Sequence, residues 1–183
     1  MQKKRWFGGA ALTIAAVMMS GSVHAQAPAG AGGGAGRGGA PAGVPASIDL
    51  TTAKRMAAAS EAAAKAANAS VAVVIVDANG DLVYFERMDG TSSRAVVLSQ
   101  GKARAALLFG LPTKTVQDAA AAGKPVSAQV TVPPGGGNEI TIIQGGLPVM
   151  KDGKIVAAIA TGGSTGANDE KFAQAGLDAY TAQ

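Results

Sequence analysis

The sequence predicts an α/β (α+β) domain of three layers, a mainly antiparallel sheet flanked by helices. Three observations carry that expectation. Asn79-Gly80 and Asp152-Gly153 each sit between short apolar runs and tolerate φ > 0, the signature of two-residue hairpins. Hairpins join antiparallel neighbours, so two of them make a mainly antiparallel sheet. Ala-rich segments with capping residues alternate with these hairpins but never as repeated βα units, which excludes a doubly wound fold.

Asp49 or Thr51 caps a first helix running to about Asn68, through a body rich in Ala, the best helix former. Val71 to Asp77 is β-branched and continuously apolar, as a central buried strand requires. Leu82 to Arg87 returns beyond Asn79-Gly80 as its partner. Ser92 or Ser93 caps a second helix to about Phe109, stopped by Gly110-Leu111-Pro112. Thr113 caps a shorter third helix that ends at Gly123. Pro125 to Pro134 is irregular, and Pro133 to Asn138 is a loop. Glu139 to Gln144 and Leu147 to Met150 read as strands separated by a bend at Gly145-Gly146. Lys154 to Thr161 pairs back beyond Asp152-Gly153, and Asn168 caps a last helix from Asp169 to about Tyr180. The order is α-β-β-α-α-β-β-β-α, with five strands.

The two N-terminal stretches stand apart. Lys3-Lys4-Arg5, the apolar run Trp6 to Met19 and the small-residue site Val23-His24-Ala25 make residues 1–25 a secretory signal peptide, with Gln26 as the mature N-terminus. The apolar run is shorter than the ~20 residues a membrane span needs, so no stable membrane insertion is expected. Residues 26–48, nearly all Gly, Ala and Pro, have no apolar face to repay ordering and read as a flexible tether. The domain proper is residues 49–183, and the expected location is periplasmic or secreted.

Composition narrows the chemistry. Of the 16 Lys and Arg, three lie in the leader, which leaves thirteen against 12 Asp and Glu. No basic cluster survives processing, so nucleic acid is not an expected partner. There is no cysteine, which excludes thiolate metal sites and Cys nucleophiles. The single histidine, His24, lies in the leader, so no Ser-His-Asp arrangement can form in the domain and no catalytic residue is assigned.

Several separated blocks carry a family likeness. VDANGDLVYFERMDG from Val76 to Gly90, the Ser93 to Thr113 stretch, GGLPVMKDGKIVAAIATGG from Gly145 to Gly163 and NDEKFAQAG from Asn168 occur in one order. Together they resemble the GlcG/HbpS family of haem-binding proteins, related to the C-terminal domain of PduO-like proteins. The resemblance implies a profilin-like five-stranded sheet, haem or a related tetrapyrrole as ligand, and a homo-oligomer, octameric in the secreted haem-binding members. Family members commonly carry Thr in the block that reads here Lys102-Ala103-Arg104-Ala105-Ala106, where Ala105 takes its place. Without a mature histidine, haem would be held without imidazole.

The expected activity is therefore binding of haem or another small anionic ligand by apolar burial and cationic clamps. Rival readings are a small-molecule or haem-degrading enzyme acting as an oligomer, and a sensory module docking to a membrane partner. Arg87, Arg94 and Lys102 are the candidate carboxylate partners, because charge-assisted hydrogen bonds are the strong ones. Gly162 and Gly163 are candidates for presenting backbone N–H groups just ahead of a helix N-terminus. Met88 is a ligand-binding candidate, and Met88 and Tyr84 are the weak candidates for iron, with Met56, Met150 and Tyr180 behind them. For the oligomer, the Ala-rich faces of the Ala53–Ala67 and Ala119–Ala122 segments permit close approach between subunits.

Overall fold

The computed structural model describes residues 48–128 and 140–181. The expected signal peptide, residues 26–47 of the expected tether, the Gly135–Gly137 loop and Glu139 lie outside the described residues. Ile48, assigned to the end of the tether, is buried in the core, which moves the start of the folded chain up by one residue.

The elements follow the order α1 (Leu50–Ala66), β1 (Ala72–Asp77), β2 (Leu82–Arg87), α2 (Ser93–Phe109), α3 (Thr113–Ala121), β3 (Gly146–Lys151), β4 (Lys154–Gly162) and α4 (Gly166–Thr181). The four strands of the described residues form one antiparallel sheet in the order β2-β1-β4-β3. Both expected hairpins are present. The non-consecutive pairing of β1 with β4 places the two β-branched runs side by side at its centre.

The expected fifth strand is absent among the described residues. Ile140–Gln144 runs as irregular chain. Its backbone is used elsewhere: the Thr141 N–H donates to the Gly101 carbonyl on α2 at 3.1 Å, and the Gln144 N–H to Gln117 Oε1 on α3 at 2.9 Å. A Cβ on Gly101 would stand 2.4 Å from Thr141 Oγ1, so the absence of a side chain there lets the segment lie against α2. Gly145 then turns the chain into β3 at φ 129°, a backbone region that L side chains rarely adopt.

Alternation along the strands divides the core in two. Val71, Val73, Ile75, Val149 and Ile159 face α1 and α4, where Met56, Phe172 and Ala173 complete the larger cluster. Val74, Val76, Ala158 and Ala160 face α2, against Ala103, Ala106 and Leu107. The sheet thus lies between two helical layers. The side chains lining it are mostly small or β-branched, as the low aromatic content requires.

The α1 alanines divide between two faces, with Ala58, Ala62 and Ala66 exposed. Ala53, Ala57 and Ala64 are fully buried in the α1/α4 cluster of the same chain. Close approach is enforced from α4 as well: a Cβ on Gly176 would meet Ile159 Cδ1 and Ser60 Oγ at 2.5 Å and the Met56 carbonyl oxygen at 2.8 Å. Small residues therefore serve an intramolecular helix crossing.

The caps set the helix starts. Asp49 accepts from the Thr52 N–H at 2.7 Å, and Ser92 Oγ from the Ala95 N–H at 3.2 Å. Two caps differ from expectation. α3 starts at Thr113 itself, whose hydroxyl turns inward and accepts from the Gly146 N–H at 2.9 Å. α4 starts at Gly166, two residues before the expected Asn168 cap, and the Thr165 hydroxyl accepts from the Asn168 N–H at 3.3 Å.

Candidate ligand cleft between two helix N-termini

β4 ends at Gly162, where the chain leaves the sheet between the first turns of α2 and α4. Both helices therefore point their positive ends toward the same place, and each carries free N–H groups in its first turn. Between them lies a cleft of about 340 Å³ whose lining includes Ser92, Arg94, Leu98, Ile143, Gly163 and Ser164. Leu98 and Ile143 supply an apolar wall, and Arg94 is exposed. Among the described residues no side chain or carbonyl pairs with its guanidinium.

The cleft floor is a buried polar network. Lys102, only 2% exposed, donates from Nζ to Asp169 Oδ2 at 2.7 Å and to the Thr161 carbonyl at 3.1 Å. The other Asp169 oxygen accepts from the Ser164 N–H at 3.0 Å, and the Thr161 hydroxyl donates to the Asp169 carbonyl at 2.6 Å. Lys102 thus ties the α2 layer through β4 to the first turn of α4 in the opposite layer. Removing one partner of such a pair costs about 3–5 kcal/mol, because the other charge stays buried.

Glycines make room for this network. A Cβ on Gly145 would stand 2.8 Å from both Lys102 Nζ and Asp169 Cβ. A Cβ on Gly162 would stand 2.9 Å from the Ala95 carbonyl oxygen, and one on Gly163 2.5 Å from the Ser70 carbonyl oxygen. The two glycines proposed from sequence as anion donors are required by close packing of β4 on α2 and on the start of β1.

The structure brings Arg94, Lys102, Gly162 and Gly163 together around this cleft. It leaves Arg87, Met88 and Tyr84 out of the lining. Arg87 lies in the same register row as Gly162, two strands away on the edge strand, and donates from Nε and Nη2 to the Thr91 carbonyl at 2.9 and 2.5 Å. Met88 and Tyr84 pack against the α1/α4 cluster; Met88 Sδ accepts from the Val71 N–H at 3.4 Å. Tyr84 donates to Glu86 Oε2 at 3.2 Å, and burial together with the Glu86 carboxylate pushes its phenol above the usual tyrosine range. Met56 is sealed in the core, and Tyr180 packs on the same cluster.

Met150 stands apart from those. It lies 44% exposed beside a second cleft of about 550 Å³ at the far end of α2, with Phe109, Leu111, Lys154 and Ile155 in the wall. Three or more His, Cys, Asp or Glu side chains do not gather into a metal-binding group anywhere among the described residues. Nor is any helix of these residues long and apolar enough to cross a membrane.

Sequence reasoning missed Asp169 as the partner of Lys102 and Ile143 as part of the wall. Asp169 carried only the signal of an acidic residue in a first helical turn. Nothing local linked it to a lysine 67 positions earlier.

Comparison with known proteins gives this geometry a family. Residues 48–178 match the family model described as haem degrading protein HbpS-like. Protein GlcG of Escherichia coli K12 is 36% identical over 107 residues, which cover 58% of this chain and 75% of GlcG. The crystal structure of a double mutant of HbpS from Streptomyces reticuli superposes with a TM-score of 0.63 at 29% identity, covering 82% of this chain and 97% of that one. The crystal structure of a PduOC:heme complex has a TM-score of 0.62 at 21% identity, covering 73% and 94%, a likeness of fold. With the family model spanning the whole described fold from Ile48 to near the end of α4, the chain belongs to the HbpS-like family.

Proposed function

We propose that this protein is an exported binding protein for haem or a related tetrapyrrole, with the ligand carboxylates held in the cleft between α2 and α4. The observation that carries the reading is the meeting of an exposed Arg94, unpaired among the described residues, with two helix N-termini in one cleft. A carboxylate there meets a guanidinium and two positive helix ends, with Leu98 and Ile143 as the adjoining apolar surface. The family description and the haem complex of a protein of the same fold support this ligand class.

The donor set fits the acidic edge of a tetrapyrrole and not its iron. Among the described residues the lining has no His, Met or Tyr, and the Asp169 carboxylate is taken by Lys102. When bound, haem would bring a redox-active iron; the residues on this side would hold and orient its carboxylates. Lys102 contributes through the network that fixes the α4 first turn, since its charge is already paired.

Hemin titration followed at the Soret band tests the proposal. Wild type should saturate, and Arg94→Ala should weaken binding by about tenfold or more with an unchanged melting curve, the loss of one charge-assisted contact of roughly 1.5–3 kcal/mol. Equal affinity in Arg94→Ala would take the carboxylates away from this cleft, and a wild type that does not saturate would exclude haem.

Export and assembly belong to the same reading. With a leader that ends at Ala25, mass spectrometry of secreted material should find Gln26 first, and an intact Met1 species would exclude cleavage there. A homo-oligomer larger than a dimer, an octamer by family likeness, is supported by the exposure of Val97 and Met150, each close to half. A monomer by light scattering at micromolar concentration would rule it out.

A further inference from the structure

Lys102 is the only buried lysine among the described residues, yet it also lines an open cleft. Two of its three ammonium protons have acceptors, Asp169 Oδ2 and the Thr161 carbonyl, and the third has none among the described residues. The chain keeps space around it, since a Cβ on Gly145 would press on Nζ itself. An amine of this kind, with a carboxylate in hydrogen-bond contact and a free arginine in the same cleft, is equipped for more than packing. An ammonium that hands a proton to its neighbour becomes a nucleophile toward carbonyl carbon.

We infer that Lys102 captures a small 2-oxo carboxylate as a covalent iminium in this cleft. The inference rests on reading the cleft as a carboxylate site, and it concerns a ligand other than haem. Arg94 and the two helix N-termini hold the carboxylate, and the adjacent oxo carbon is presented to Nζ. A cleft of about 340 Å³ suits a compact acid.

The step balances without any further reactant. The Lys102 ammonium gives one proton to Asp169 Oδ2 along the existing hydrogen bond. The freed lone pair attacks the carbonyl carbon; the C–N bond forms and the π pair moves to oxygen. That oxygen takes a second proton from nitrogen, giving the carbinolamine. Asp169 then returns its proton to the hydroxyl, the C–O bond breaks and water leaves. The nitrogen lone pair closes the C=N bond. Two ammonium protons depart in the water, and the third stays on the iminium. The product keeps its positive charge and one N–H, so the buried Asp169 carboxylate keeps its counterion while the Thr161 carbonyl gives up its donor.

Reductive trapping on the intact chain tests this. Pyruvate with cyanoborohydride, followed by peptide mapping, should place one reduced pyruvate per chain on the Lys102 peptide, saturably. Acetaldehyde, which lacks the carboxylate, should label it at least about tenfold less, and Arg94→Ala should lower the pyruvate labelling by a similar factor. Lys102→Arg, which keeps the charge, should take no label at that peptide. Solvent access by itself predicts the opposite ranking, because Lys54, Lys151 and Lys171 are exposed.

Label confined to those exposed lysines in wild type overturns the inference whatever the variants do. Ligand-observed NMR of pyruvate without reductant separates the two readings. Binding that Arg94→Ala abolishes, with Lys102 unlabelled, removes the iminium and leaves the carboxylate site. Neither binding nor label removes both.

Discussion

Lys102 and Asp169 stand 67 residues apart in the chain and 2.7 Å apart in the fold, both almost completely buried. The pair joins the middle of α2 to the first turn of α4 past the end of the sheet. It also spends the charge of the cation that the sequence offered as a ligand clamp.

Each partner of this pair should be costly to remove alone, and the two costs should not add. Lys102→Met and Asp169→Asn should each destabilise by about 3–5 kcal/mol. The double variant should lose less than the sum, with a coupling energy of roughly 1–3 kcal/mol. Urea unfolding of the four proteins measures it. Additive losses would show that the two groups act separately.

Thr113 offers a test of one buried hydroxyl, which also donates to the Gly146 carbonyl at 3.4 Å. Its hydroxyl is fully buried and accepts from the Gly146 N–H at 2.9 Å, where β3 begins under α3. Thr113→Val keeps the shape and removes the acceptor, leaving a buried N–H unpaired at a cost of about 1–3 kcal/mol. Thr113→Ser keeps the hydroxyl and should retain more of that stability. If the Val variant is the more stable of the two, the hydroxyl does not hold β3 to α3.

Tyr84 should titrate late. Burial, then the Glu86 carboxylate, raises its folded-state pKa above the usual value near 10. A raised pKa means that its contribution to stability is fully present below the unfolded value. That contribution is lost as pH rises through the folded one. Alkaline titration at 295 nm should therefore show one of the two tyrosines ionising above the ordinary range, and Tyr84→Phe should abolish that late phase. Glu86→Gln should move it back toward the ordinary value. A single ordinary transition from both tyrosines in wild type would contradict the packing described for Tyr84.

The local elements were legible because local physics sets them. Asp49 and Ser92 cap where a short oxygen-bearing side chain precedes an Ala-rich run. β2 occupies Leu82–Arg87 as read, because Asn79-Gly80 fixes the turn and the apolar run fixes the length. The second hairpin follows in the same way from Asp152-Gly153, where Asp152 takes φ 50° and Gly153 φ 73°.

Ile140–Gln144 has the β-branched composition of a strand, but composition does not decide which hydrogen-bonding partner lies alongside. Here those partners are the Gly101 carbonyl and the Gln117 side chain, on helices that the sequence places elsewhere. The small faces of α1 could have met any neighbour, and folding put α4 there. A candidate cation is likewise legible as a residue type but not as free or paired. Among the described residues Arg94 stays free and Lys102 does not, since Asp169 arrives 67 residues later on the first turn of α4. Sequence determined the caps of α1 and α2, the two hairpin turns and the alternation of strands, all settled within a few residues. Only tertiary structure decided the fifth strand, the helix contact and the pairing of charges, because each depends on a group that comes near solely when the chain has closed on itself.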